Sequence, residues 1–165
     1  VKTNAARILD NLGIAYELRE YAVDLDDLSA PTVAAKINLP VEQVFKTLLV
    51  STGSRNYIFA VIPGDAELDF KKLARAAGVR QCEMAALKDV QPLTGYVRGG
   101  VTVLGAKKAY PAFADETIEL HDVISVSSGQ RGLQLLLAPE EYLRAAEATI
   151  ASLTRVTPQP GSLVQ

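Results

Sequence analysis

Val44-Phe45-Lys46-Thr47-Leu48-Leu49-Val50-Ser51-Thr52, then Gly53-Ser54-Arg55-Asn56, then Tyr57-Ile58-Phe59-Ala60-Val61-Ile62, is the stretch from which the fold follows. Two β-branched, apolar runs flank a short polar segment containing glycine, the pattern of a hairpin whose strands are central to a sheet. Side chains alternate along a strand, so Lys46 falls on the same face as Leu48 and Val50. An unpaired ammonium buried there costs several kcal/mol or more. Either its four-carbon stem snorkels to water or its head meets an anion or a carbonyl, and Lys46 alone leaves both readings open.

Working outward, Thr3 to Leu12 places Ile8, Leu9 and Leu12 on one helical face and stops at Gly13. Tyr16 to Tyr21 alternates as a strand, Asp24 to Asp27 is a loop, and Ser29 with Pro31 opens a short helix ending near Leu39-Pro40. Val41 to Phe45 has room for one more turn. Asp69 caps a helix over Phe70 to Ala77, with Gly78 as its stop. A short apolar piece around Val79 to Met84, a helical turn at Ala86 to Val90, and a loop with a short strand in Gly95 to Gly105 follow. Val123 to Ser127 and Leu133 to Leu137 flank Ser128-Gly129-Gln130-Arg131-Gly132 as a second hairpin. Pro139 to Leu153 reads as the last helix, with Tyr142, Leu143, Ala146 and Ile150 inward. Residues 157–165 read as a frayed tail after a domain spanning 1–156. This order gives an α+β or α/β single domain with a mixed central sheet and surrounding helices, and not a regular doubly wound fold.

Composition narrows the function classes. The chain has 165 residues and 48% hydrophobic content, enough for one domain without disulfides or structural metal. A net charge of −2 neither demands nor forbids a polyanionic partner. Cys82 and His121 are each the single residue of their type, which excludes an internal disulfide and a Cys–His zinc site. Neither a metal nor a cofactor is expected. With no apolar run near membrane-spanning length and no charged-then-apolar leader, the reading is a soluble, cytoplasmic protein with no membrane association.

Three segments can carry chemistry. The first is Lys46 with Thr47. The second is Thr94-Gly95-Tyr96-Val97-Arg98-Gly99-Gly100-Val101, whose paired glycines either form a plain turn or let backbone N–H groups approach a ligand. The third is Ser127-Ser128-Gly129-Gln130-Arg131-Gly132, which presents hydroxyls, backbone donors and a guanidinium, or is simply a turn. Cys82, in an apolar setting, reads as core packing and not as a reactive thiol. His121, between Leu120 and Asp122, reads as a surface residue at a strand end.

Taken together, these strings resemble the YbaK-type aminoacyl-tRNA deacylases, freestanding relatives of the editing domain inserted in bacterial prolyl-tRNA synthetases. The likeness runs from Thr3 to about Arg155. It rests on Val44 to Val50, Leu68-Asp69-Phe70-Lys71-Lys72-Leu73-Ala74, Cys82-Glu83-Met84-Ala85, Gly95-Tyr96-Val97-Arg98-Gly99-Gly100, Leu104-Gly105-Ala106-Lys107-Lys108 and Arg131-Gly132-Leu133. The resemblance implies hydrolysis of the ester joining a wrong amino acid to tRNA, with cysteine on proline tRNA as the expected substrate. It also implies a transient complex with prolyl-tRNA synthetase.

On this resemblance the family's key lysine falls on Lys46, which would orient the substrate. Backbone donors around Gly99, Gly100, Ser127 and Gly129 would stabilise charge on the ester carbonyl. Tyr21, Thr47, Tyr96, Ser128 and Arg131 would bind substrate, Tyr21 by stacking on the adenine, although a core tyrosine is the competing reading. Lys71, Lys72, Arg75, Lys107 and Lys108, with Arg80, would follow tRNA phosphates; the alternative is a solvated helix face. The attacking group would come from the substrate or a bound water. Thr102-Val103 stands where the family commonly has Ser-Pro, and Ser128 and Gln130 replace a glycine and a lysine. Preference for alanine or serine, or a non-catalytic module binding nucleotide or the tRNA acceptor end, therefore stays open beside the cysteine reading.

Overall fold

The computed structural model describes residues 2–155; the tail expected over 157–165 lies outside them. The chain runs α1 (Asn4–Asn11), β1 (Glu17–Glu20), α2 (Ala30–Ile37), a 3-10 turn (Val41–Gln43), β2 (Phe45–Gly53) and β3 (Asn56–Pro63). It continues with β4 (Glu67–Leu68), α3 (Phe70–Ala77), β5 (Glu83–Met84), α4 (Leu87–Thr94), β6 (Ala112–Asp115) and a second 3-10 turn (Glu116–Leu120). It closes with β7 (Ile124–Ser127), β8 (Leu133–Leu137), α5 (Pro139–Ala146), β9 (Thr149–Ala151) and β10 (Thr154–Arg155).

The hairpin forms as its sequence dictates. Ser54 and Arg55 both take positive φ, 51° and 62°, the geometry that matches the twist of paired strands. The register sets Lys46 opposite Ile62, Leu48 opposite Ala60 and Val50 opposite Ile58. Around it a five-stranded mixed sheet forms in the order β5-β2-β3-β6-β9. Its β3–β6 and β6–β9 pairs are parallel. A three-stranded antiparallel sheet, β1-β8-β7, joins it through a parallel bridge between Val44 and Ser125.

Each face of β2 and β3 has its own core. Val50, Ile58, Ala60 and Ile62 pack with Leu73 of α3 and with Leu153. Phe45 and Val61, on the other face, pack with Leu9 of α1, Tyr142 of α5, and Val126 and Leu135 of the smaller sheet. The fold class is therefore as expected: one domain, a mixed central sheet and helices against it.

Four local expectations are corrected. The last helix ends at Ala146, because Glu147 turns left-handed at φ 51° and the next residues form β9 along the edge of β6. Ile150 is accordingly 37% exposed, and Leu12, at the helix terminus, is 43% exposed. The turn at Ala86 to Val90 extends into α4 as far as Thr94. Gly95 to Gly105 holds no strand, and β6 arises instead at Ala112–Asp115, which alanines and one aspartate disguised.

Candidate functional site

Strands β2 and β7 meet at the Val44–Ser125 bridge and then part, and a cavity of about 310 Å³ opens at their divergence. That volume suits a small ligand. Its wall is largely apolar, including Leu28, Val33, Leu49, Met84 and Val101. The polar exceptions are Lys46, Thr47, Arg98, Ser127 and Gln134. No Asp, Glu, His or Cys lines it.

Lys46 ends the apolar face shared by Leu48 and Val50, and its stem carries Nζ to the carbonyl of Gly64, 3.3 Å away. Of the two readings open from sequence, the ammonium meets a carbonyl while remaining only half-buried. Burial lowers the amine's pKa, and the carboxylates of Asp65 and Glu67 pull it partly back. Gly64 itself is tightly held: its N–H donates to Val44 O at 2.7 Å, and a Cβ there would lie 2.5 Å from Ala30 Cβ.

The main chain adds donors along an unpaired strand edge. Phe59 N–H turns away from β2 to Pro111 O, while Leu49 O accepts from Ala85 N–H on the opposite edge of β2. By the two-residue alternation, the N–H and C=O of Thr47 face that same edge, where the cavity lies. The Thr47 hydroxyl is itself buried, beside that of Tyr142; neither closes a hydrogen bond of normal geometry.

The two glycine segments lie against each other. A Cβ on Gly100 would sit 3.3 Å from Gln130 Cα, and one on Gly99 would meet Leu28 and Arg131 side-chain atoms at 3.4–3.5 Å. Arg131 Nε donates to Arg98 O at 2.7 Å, pinning one loop to the other. Tyr96 buttresses the pair: its ring packs where a Gly129 Cβ would be, at 2.8 Å, and its hydroxyl donates to Leu104 O. Burial raises the Tyr96 pKa, so the hydroxyl stays a donor.

This packing redistributes the expected roles. The N–H groups of Gly100, Ser128 and Gly129 are already donated to Val97 O, Leu133 O and Ser127 Oγ. They are not free to face a ligand. Gly99 N–H has no partner among the described residues, and Gly99 lines the cavity. Of the expected site residues, Lys46, Thr47, Gly99 and Ser127 line the cavity; Gly100, Gly129, Tyr96, Ser128 and Arg131 stand behind it. Tyr21 does not line it, packing instead against the cluster of Val33, Ala34, Ile37 and Val44.

Sequence reasoning missed Gln134 and Arg98 as cavity residues. Gln134 is 5% exposed; its Oε1 accepts from Ser125 Oγ at 2.7 Å, leaving its amide hydrogens without a partner among the described residues. The signal was the alternation Ile124-Ser125-Val126-Ser127, apolar into the core and polar toward the cavity. His121 stacks edge-on against Phe45 outside the cavity. Cys82 is half-buried, its Sγ donating to Phe70 O, and burial raises its pKa, which suits packing and not thiolate chemistry.

The basic residues separate. Lys71 and Arg75, with Arg80, border a second cavity beside α3. Lys72 Nζ donates to Thr154 O, and Lys107 Nζ to Pro92 O. Lys108 is exposed on the loop after α4. No group of three or more His, Cys, Asp or Glu that could hold a metal occurs among the described residues. None of their helices is long and apolar enough to cross a membrane.

Residues 28–145 match the aminoacyl-tRNA editing domain family. The chain belongs to that family. It is 40% identical over 153 residues, 93% of each chain, to an Enterococcus faecalis protein provisionally named Cys-tRNA(Pro)/Cys-tRNA(Cys) deacylase EbsC. It is 25% identical over 104 residues, 62% of each chain, to the multifunctional Ser/Thr-tRNA deacylase ProXp-y of Escherichia coli. A crystal structure described as a candidate trans-editing enzyme for prolyl tRNA synthetase shares the fold, with a TM-score of 0.80 at 24% identity, covering 94% of this chain and 99% of that one.

Proposed function

We propose that the protein is a trans-editing hydrolase that cleaves the aminoacyl ester of mischarged tRNA, with cysteine on proline tRNA as its principal substrate. The observation that carries this reading is the Lys46 ammonium, held at Gly64 O on the floor of an apolar cavity whose wall offers the N–H of Gly99. Family membership and the EbsC likeness support it.

In this reading Lys46 grips a carbonyl, ribose or phosphate oxygen of the acyl-adenosine end. The N–H groups of Thr47 and Gly99 face the ester oxygen as it becomes negative, each such donor being worth about 10²-fold or more in rate. Ser127 keeps its own O–H available to the substrate, since its oxygen accepts from Gly129. The cavity wall supplies no carboxylate or imidazole, so a water or a group on the substrate attacks the carbonyl carbon. The ester C–O bond then breaks, and the ribose oxygen leaves with the proton that the attacking water or group gives up. Lys46 bonds Gly64 O and not Ser127, so no Ser–Lys nucleophile is assembled among the described residues.

The apolar lining favours cysteine over serine, because a hydroxyl loses more than a thiol on leaving water. Such a pocket rejects a hydroxyl isostere by only about 10²-fold, so slower serine and alanine release is expected. Tyr21 would act outside the cavity, through the α2 cluster. We place the enzyme in the cytoplasm with its tRNA, and its net charge of −2 fits weak intrinsic tRNA affinity aided by transient contact with prolyl-tRNA synthetase.

Cys-, Ser-, Ala- and Pro-charged proline tRNAs incubated with the wild-type protein test this. Release in the order Cys, then Ser and Ala, with Pro spared, is expected. Stability of every charged species at its buffer rate would overturn the reading, and protection below that rate would favour an acceptor-end binder.

A further inference from the structure

We infer that the cavity beside α3 is a phosphate seat for the single-stranded nucleotides that precede the terminal adenosine of a charged tRNA, an inference that rests on the deacylase reading above. The cavity, of about 440 Å³, is bordered by Lys71 and Arg75 on one face of α3 and by Arg80 and Gln81 in the segment that follows. Lys71, Arg75 and Arg80 make no ion pair and no side-chain hydrogen bond among the described residues, and no carboxylate lines the cavity. Three exposed cations facing one concavity repel each other unless an anion sits among them.

Its position says which anion. Cys82 lies in the wall of this cavity and Met84 in the wall of the Lys46 cavity. Only Glu83 separates them, and two residues along an extended chain span about 6.6 Å. Met84 pairs opposite Val50 and Glu83 opposite Ser51, so Cys82 falls six strand residues, about 20 Å, from Lys46, and a chain whose 3′ end lay beside Lys46 would reach the basic cavity after about three nucleotide steps. Strand alternation turns Glu83 to the face opposite Cys82 and Met84. Asp69, the nearest acid on α3, is occupied as the helix cap, accepting from the N–H groups of Lys71 and Lys72. The other expected phosphate contacts, Lys107 and Lys108, lie past the far end of α4 and do not border this cavity.

The test compares wild type with Lys71→Gln/Arg75→Gln/Arg80→Gln on two substrates, charged tRNA and an aminoacyl-adenosine that lacks phosphate. The variant's preference for tRNA over the nucleoside, as a ratio of kcat/KM, should fall at least about tenfold. The slope of log kcat/KM against log salt on tRNA should flatten by about 0.7 for each phosphate that is no longer neutralised. Arg7→Gln, which removes an exposed charge on α1, should leave that slope as it is. An unchanged ratio and slope in the triple variant, or an equal flattening from Arg7→Gln, would overturn the seat. If the triple variant loses its cooperative melt, Arg75→Gln and Arg80→Gln singly take its place. If wild type cleaves neither substrate, the deacylase reading fails, and titration with an uncharged CCA-ended oligonucleotide judges the seat. Weaker, less salt-dependent binding by the variant then supports it, and equal binding overturns it.

Discussion

Lys46 is where stability and the proposed chemistry oppose each other. Burial lowers its pKa, so the unfolded chain holds the proton more tightly than the folded one. The penalty on the folded state is fully present below the folded pKa and lifts as pH rises through that value toward the ordinary 10.5. Lys46→Met should therefore raise Tm at pH 7 while losing activity, and its gain in Tm should vanish above that window; melting curves at both pH values check it. Gln134→Leu should cost about 1–3 kcal/mol in urea denaturation, since the buried Ser125 hydroxyl loses its acceptor. Lys46 was legible from sequence because an ammonium in an apolar run is an anomaly in one dimension. Its partner was not, because the Gly64 carbonyl reaches it only through the hairpin register, and Gln134 was hidden by a strand that reads as plainly apolar.

At the scale of elements, the glycine loops form a joint more than a row of donors. Gly129 sits at φ 101° with the Tyr96 ring against it, so Gly129→Ala meets both a left-handed backbone and a 2.8 Å contact. A loss of about 1–3 kcal/mol is expected, and deacylation should fall with it as Tyr96 is displaced. Equal stability and rate in the variant would show that the loops do not depend on this packing. That the two segments belong together could be read from the family resemblance, but not that most of their N–H groups are spent within their own turns, which only the folded geometry reveals. Conversely, Asp69 and Gly78 bounded α3 correctly because cap and stop are local chemistry. The last helix was overextended because Ala146 to Leu153 has no glycine or proline to mark its end; pairing with β6 wins over helix propensity there.

For the whole molecule, the C-terminal strands close the central sheet. Leu153 is fully buried against Leu73 and Ile62, and its N–H donates to the buried Asp115 carboxylate at 2.9 Å. Leu153→Ala should lower stability by about 2–5 kcal/mol, read from the urea midpoint. A change below 0.5 kcal/mol, about the size of an ordinary surface effect, would mean that this edge is not part of the cooperative unit. The fold class could be read from the order of runs and turns, whereas the parallel placement of β6 and β9 is a long-range pairing without a local signature. The same architecture leaves the β2 edge unpaired beside β7, and there the cavity opens. Single-turnover release of cysteine from charged proline tRNA by wild type and Lys46→Ala, side by side, tests the account most directly. Wild type should outpace buffer and the variant should fall about 10²-fold or more; a variant that clears the ester at the wild-type rate would contradict it.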